Sequence, residues 1–380
     1  MKEEYYMRKI KIVNIISKLV YGGTESVLLN YYSHINRRHY DLNIITMEAI
    51  NKESIKRFED LGFKVYIVGN WEENPVKVGK KIIKILKQGK FDIIHSHLSH
   101  TNFYFMILGY IAGIKIRISH SHLIYIDKNL KEKIKHKMYK ILIKIFSTNF
   151  MACSEAASID LYGTTNNVYI LRNAIDLTKF IPNIKVRKQY RKLLRYTEDE
   201  IIICNIGRME EQKNQLFLIE IFNELIKLNN RYRLLIIGSG SLENNIKERI
   251  TKLNLTGKVK ILSNRDDVNN ILQASDIFLL PSLYEGLGIV LIEAQAVGLS
   301  CYTSDKVVPQ EAKVTDKLHF INLEKGSRQW AKYIEENYHK EPEQIQDYQL
   351  ITEYGYNILE EAKKLDEYYQ KIMTCMRGDE

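Results

Sequence analysis

The pattern that most restricts the fold is an alternation that runs through this chain twice. Short apolar runs rich in β-branched residues alternate with helical patterns, the order that βαβ units and hence parallel sheets produce. In the first half KIKIVNII, LNIITM, KVYIVG, FDIIHSH, IRISHSH and NVYILRN read as strands, with helices at 25–32, 54–61 and 76–88. A polar, basic stretch at 176–200 has no strand signal and reads as an interdomain linker. Beyond it EIIICNIGR, YRLLIIGSG, KVKILSN, DIFLLPS and LSCYTSD read as strands, and 217–228, 242–253, 268–274 and 289–297 as helices. Two such series predict an α/β protein with two doubly wound parallel-sheet domains facing each other. Ligands are then expected in the cleft, beyond the carboxyl ends of the strands. The predicted domains are 1–180 and 181–350, with 351–380 as a final helical segment free to pack back on the first.

A chain of 380 residues has room for two cores of ordinary size. None of its runs approaches the roughly 20 apolar residues that span a bilayer. The opening MKEEYYMRKIKIVNII places acids before a short apolar run and lacks a small-residue cleavage site, so a short tail entering a strand is expected. Cys153, Cys204, Cys301 and Cys375 lie far apart without metal or redox spacing, which favours a reducing, cytoplasmic setting. Residues 1–180 carry 28 Lys and Arg against 16 Asp and Glu, whereas 181–380 carry 28 against 30. The whole basic excess therefore lies in the first half and suggests an anionic partner there, a membrane surface or a nucleic acid. Ordinary solubilisation by lysine is the alternative. KVGKKIIKILKQGK and LKEKIKHKMYKILIKIF are amphipathic and cationic, as helices lying on anionic membranes are, but each also suits packing against a sheet.

The densest chemistry lies in LPSLYEGLGIVLIEAQAVG. A strand ends near Ser282, a turn carries Glu285, Gly286, Leu287 and Gly288, and a helix opens at Ile289 and closes at Gly298. Glycines let a backbone approach a ligand, and amides at a helix start favour a diphosphate or sugar oxygen. Glu285 precedes the helix and Glu293 falls one turn inside it, so both carboxylates can accept hydrogen bonds from vicinal hydroxyls. A helix with an ordinary N-terminal acid and a solvated Glu293 satisfies the same spacing.

This segment resembles the signature of the retaining, GT-B-fold glycosyltransferases called glycosyl transferases group 1 (family 4 type). Two glutamates separated by seven residues mark that family, and Glu285 and Glu293 match them. The resemblance implies two Rossmann-like domains, with Glu285 at the donor sugar hydroxyls and Glu293 at the ribose. The amides of Gly286, Leu287 and Gly288 would line the sugar and diphosphate. Gly207-Arg208 followed by Lys213-Asn214 matches the cationic pair that clamps the diphosphate, where two cations balance the charge of the leaving group. Gly238-Ser239-Gly240 matches the family's strand-ending glycines and reads as structural, while Asn264 stands where the family has glycine. Gly22-Gly23 resembles its paired glycines near the donor phosphates; a tight strand-to-helix turn is the other reading.

His95 with His97, and His120 with His122, have HxH spacing that puts each pair on one face of a strand. Four imidazoles converging there would be able to bind zinc. The resemblance instead implies one histidine near the reacting centre, best matched by His120 with His122 as the fallback.

The first half is similar to bacterial exopolysaccharide and capsule transferases. The implied reaction moves a hexosyl unit from a nucleoside diphosphate sugar to a glycan acceptor, lipid-linked by expectation, with retention. Asp-x-Asp is absent, so no metal cofactor is expected. The expected location is cytoplasmic and peripheral, at the inner face of the plasma membrane. A GT-B-fold epimerase or phosphorylase, and a non-catalytic nucleotide-sugar-binding partner, are the rival readings. No nucleic-acid-binding module is visible.

Overall fold

The computed structural model describes residues 8–19, 23–49, 52–124, 129–263, 265–339 and 346–378. The opening tail, Gly22 and Asn264 lie outside the described residues. The chain divides into two compact units, residues 1–174 with 358–380, and residues 175–357.

The first unit contains β1 (Ile10–Leu19), α1 (Gly23–His34), β2 (Tyr40–Ala49), α2 (Lys52–Glu59), β3 (Lys64–Ile67), α3 (Pro75–Gly89) and β4 (Ile93–Ser96). It continues with α4 (Asn102–Ile111), β5 (Ile116–Ser121), α5 (Leu130–Phe146), β6 (Asn149–Ala152), α6 (Glu155–Tyr162) and β7 (Val168–Ile170). The second unit holds α7 (Ile184–Leu193), β8 (Ile201–Ile206), α8 (Gln215–Leu228), β9 (Tyr232–Ile237), α9 (Glu243–Lys252), β10 (Val259–Leu262) and α10 (Val268–Ala274). It ends with β11 (Ile277–Leu280), α11 (Ile289–Val297), β12 (Ser300–Ser304), β13 (Leu318–Ile321), α12 (Gly326–Asn337) and α13 (Gln346–Glu353). The last helix, α14 (Ile358–Arg377), belongs to the first unit.

Both sheets are parallel, in the orders β3-β2-β1-β4-β5-β6-β7 and β10-β9-β8-β11-β12-β13. Each order reverses direction beside its first strand, so each unit has a switch point where loops diverge and leave room for a ligand: between β1 and β4, and between β8 and β11. Central strands read as continuous apolar runs because helices cover both their faces; Ile202, Ile203 and Cys204 of β8 are wholly buried. Helix starts follow local chemistry. The side chains of Asn74, Asn129 and Ser154 accept amide hydrogens at the starts of α3, α5 and α6, and Pro75 occupies the first turn of α3. Gly163 and Gly298 close α6 and α11 in the left-handed conformation.

The basic stretch read as a linker carries a helix. α7 packs on α10, and its Arg191 is 1% exposed. The Arg191 guanidinium donates to the Ala274 carbonyl (3.0 Å) and to Asp276 (3.2 Å), which also accepts from Arg187 (2.5 Å) and the Ile202 amide (2.7 Å). Polar composition here marks a buried charge network, not an unstructured connection.

Candidate active site

At the switch point of the second sheet, the loops leaving β8 and β11 carry six of the candidate residues, Arg208, Lys213, Glu285, Gly286, Leu287 and Gly288. Gly207 directly follows β8, and the side chain of Lys213 folds back across it. A Cβ on Gly207 would stand 3.1 Å from the Lys213 Cε. Gly238, at the end of β9, has φ +143° and lies directly against this loop; a Cβ there would be 2.1 Å from the Gly207 carbonyl oxygen. The Gly-Ser-Gly strand end therefore acts as a packing surface for the Arg208 loop.

Three hydrogen bonds tie that loop to the turn after β11. Gln212 Nε2 donates to the Tyr284 carbonyl (2.9 Å), Asn214 Nδ2 to the Pro281 carbonyl (3.1 Å), and the Leu283 amide to the Gln212 carbonyl (2.8 Å). They bring Lys213 Nζ to 2.5 Å from Glu285 Oε1, an oxygen that also accepts from Ser282 Oγ at 2.7 Å. The Lys213 and Glu285 side chains are only 14% and 6% exposed. Arg208 is exposed and makes no ion pair among the described residues. Leu287 belongs to the core, so only its main chain is available to a ligand. Gly288 adopts φ +71° as the cap residue of α11, and no side chain caps that helix start. The first-turn amides of α11 thus receive no hydrogen bond from a cap side chain and are candidate anion donors.

Glu293 lies one turn into α11. The residue keeps some exposure, and partial burial pushes its carboxyl up to about 8. The folded state then holds this proton more tightly than the unfolded chain does. The associated stability is complete below about pH 4.5 and is lost as pH rises through about 8. Glu293→Gln should therefore leave the thermal midpoint unchanged below about pH 4.5 and raise it above about pH 8. Midpoints of both forms across this range provide the check; a variant that tracks the wild type throughout would refute the burial assignment.

In the first unit, His95 and His97 at the end of β4 meet His120 and His122 at the end of β5. His95 Nε2 is 3.1 Å from His120 Nδ1, and His97 Nδ1 is 3.0 Å from His122 Nε2. Hydrogen-bond valence orders the protons. Asn14 Oδ1 accepts from Tyr32 (3.1 Å), and being a carbonyl oxygen it also accepts from His97 Nε2 (3.1 Å). The His97 Nδ1 is then bare and accepts from His122 Nε2. Tyr32 has spent its proton, so it accepts from Tyr369 of α14 (3.1 Å), which in turn accepts from His95 Nδ1 (2.7 Å). His95 Nε2 is left to accept from His120 Nδ1. Both chains end on bare nitrogens, His120 Nε2 and His122 Nδ1, and neither has a hydrogen-bond partner among the described residues. Burial holds all four imidazoles neutral, pushing His95 down to about 3, His122 to about 4, and the other two well below the usual range. Ligand nitrogens of His95, His97 and His120 lie within 4.8 Å of one another, a spacing a metal ion would accept, yet those rings are already joined into these chains.

Two family models match the chain. The one described as Glycosyl transferases group 1 matches residues 186–357, and the one described as Glycosyltransferase Family 4 matches residues 21–179. The UDP-Gal:alpha-D-GlcNAc-diphosphoundecaprenol alpha-1,3-galactosyltransferase of Escherichia coli is 30% identical over 314 residues, covering 78% of this chain and 80% of its own. The chain is a group 1 glycosyltransferase. This glycosyltransferase is also 23% identical to the capsular polysaccharide biosynthesis glycosyltransferase CapH of Staphylococcus aureus, over 86% of its length and 90% of that relative's. Its fold matches Anabaena HepE in complex with UDP and glucose, with TM-score 0.77 at 15% identity, over 95% of this chain and 100% of that one. The GT-B fold implied by the sequence resemblance, two Rossmann-like parallel-sheet domains, is the fold found.

Of the residues singled out in the sequence, the glycosyltransferase brings together Lys213, Glu285, Gly286, Gly288 and the start of α11 in one unit, and His120 with His122 in the other. Gly23 is the first residue of α1, while its neighbour Gly22 falls outside the described residues. Sequence reading missed Ser282, Gln212, Asn14, Tyr32 and Tyr369. Asn14 carried a signal: it is a polar residue in the middle of the apolar run of β1, and it is wholly buried.

Proposed function

We propose that this glycosyltransferase moves a hexosyl unit from a nucleoside diphosphate sugar to a hydroxyl of a lipid-linked glycan, with retention and without a metal ion. Its setting would be bacterial cell-surface polysaccharide synthesis at the inner face of the plasma membrane. The observation that carries the reading is the Lys213–Glu285 pair at the switch point of the second sheet, on the same loop as an exposed Arg208 that makes no ion pair among the described residues. Two cations and the α11 amides suit a diphosphate, and the remaining Glu285 oxygen suits a sugar hydroxyl. HepE is named with UDP and the Escherichia coli relative with a diphosphoundecaprenol acceptor, which favours a uridine diphosphate hexose and a polyprenyl-diphosphate-linked acceptor.

A carboxylate held by a lysine ion pair is a poor nucleophile, which favours same-face transfer over a covalent glycosyl-enzyme. In that step the bond from the anomeric carbon to the diphosphate breaks as the bond to the acceptor oxygen forms. The acceptor proton passes to the leaving diphosphate, whose charge Arg208 and Lys213 balance. His120 offers its bare Nε2 to a substrate hydroxyl.

A thermal-shift screen of nucleoside diphosphate hexoses in EDTA tests donor binding, with about 2.7 kcal/mol of stabilisation expected at a hundredfold excess over Kd. Transfer to a polyprenyl-diphosphate-linked acceptor in EDTA should then yield a product with the donor's anomeric configuration. Binding of no nucleotide sugar would remove the donor assignment, and an inverted product would remove the same-face mechanism.

A further inference from the structure

The two cationic helices, alike in sequence, are used differently in the fold. α3 turns its apolar positions Val78, Ile82 and Leu86 into the core and presents mostly lysines, with Val76 its one large exposed hydrophobic. α5 has two apolar faces. Its inner face buries His136 and Ile143, stacks Tyr139 on Phe103 (3.9 Å) and sets His136 against His100 (4.7 Å). Its outer face carries Leu130, Ile134, Met138, Ile141 and Ile145, each between 52% and 72% exposed. At 100° per residue these five fall in an arc roughly 80° wide, opposite the buried side. Lys131 and Lys135 flank one edge of that stripe, and Lys133, Lys137 and Lys144 the other; Glu132 is the one acid in the helix. Exposed Tyr110 and Ile111 of α4 extend the apolar surface past the end of α5, where Tyr110 meets Phe146 (5.4 Å).

We propose that the outer face of α5 docks the protein on an anionic lipid bilayer, lying in the headgroup layer parallel to its plane. A narrow apolar stripe bordered on both sides by lysines fits that boundary. The alkyl groups enter the acyl region while the ammonium groups reach out to anionic headgroups on either side. A protein groove would instead have to present acids along two opposite edges of one apolar trough. No described helix is long and apolar enough to cross a membrane, so α5 lies on the surface. Its purpose rests on the lipid-linked-acceptor reading, but the docking does not require it.

Sedimentation of the full chain with vesicles of phosphatidylcholine alone, or mixed with phosphatidylglycerol, is the test. Wild type should bind the mixed vesicles, weakly when lipid is neutral or salt is high. Lys131→Glu/Lys135→Glu should weaken binding by about thirtyfold or more, since each surface lysine contributes about fivefold. Ile134→Asp/Met138→Asp should abolish it without lowering the thermal midpoint, because both side chains are exposed. Lys80→Glu/Lys84→Glu in α3 should bind more tightly than either α5 variant. The proposal is overturned if wild type ignores anionic vesicles, or if both α5 variants bind as wild type does. It is overturned equally if Ile134→Asp/Met138→Asp only converts a dimer to a monomer, which assigns the stripe to a second copy. A chain that docks through α5 but turns over no nucleotide sugar sustains the docking and overturns the activity reading.

Discussion

Alanine at Arg208 or at Lys213 should each lower turnover about a hundredfold to a thousandfold, the usual effect of removing one preorganised donor to developing charge. The two variants should differ in stability. Arg208 is exposed and unpaired among the described residues, so Arg208→Ala should leave the thermal midpoint where it is. Lys213 is the cation beside the nearly buried Glu285 carboxylate. Removing it leaves that charge with Ser282 as its side-chain partner among the described residues, and breaking a buried pair in this way costs about 3–5 kcal/mol. Adding Glu285→Gln to Lys213→Ala should return most of the lost stability while restoring none of the turnover. Initial rates with saturating donor, together with thermal midpoints of the two single variants and the double, give the check. Turnover within a few-fold of wild type in Arg208→Ala and Lys213→Ala would mean that the diphosphate binds elsewhere.

Much of the fold could be read from the chain because its central strands are buried on both faces. β8, β9 and β11 stand out as runs such as IIICNI, YRLLII and IFLL. β6 and β13 are four-residue segments, NFMA and LHFI, without a β-branched run, and so carry no comparable signal. α7 was hidden for another reason: its most buried residue is an arginine, and only the fold reveals Asp276 across from it. The site divides in the same way. The glutamates and glycines of the β11–α11 turn are local in sequence and were legible. The Lys213–Glu285 contact joins positions far apart in the chain and depends on Gln212 and Asn214, whose amide side chains look like ordinary surface polarity. The histidine chains end in α14, where Tyr369 is one tyrosine among many; nothing in its neighbourhood marks it as the partner of His95.

That histidine cluster should make the first unit unusually sensitive to acid. Burial keeps all four imidazoles neutral in the folded state, with His95 pushed down to about 3 and His122 to about 4. In the unfolded chain each takes up a proton near the ordinary value of about 6.5. The stability they contribute is therefore complete above about pH 6.5 and is lost progressively as pH falls toward about 4. Each buried histidine removes about 1.4 kcal/mol per pH unit within that window, so four together act several times faster than one. A domain stability of about 5–15 kcal/mol would be consumed within a few pH units. The second unit has no such cluster among its described residues; His319 is shifted down by partial burial but stands apart from other histidines. Hydrogen exchange followed by mass spectrometry should show protection falling between pH 6.5 and pH 5 in β4, β5 and α14, with β8 and β11 holding. Replacing His97 and His122 together by glutamine should roughly halve the slope, because two of the four proton uptakes are removed. Equal loss of protection in both sheets, or none in β4 and β5, would show that the imidazoles are not held neutral by burial. Since Tyr369 fixes the first link of one chain, Tyr369→Phe should loosen β4 and β5 before it affects the second unit, tying the C-terminal helix to the bare nitrogen of His120.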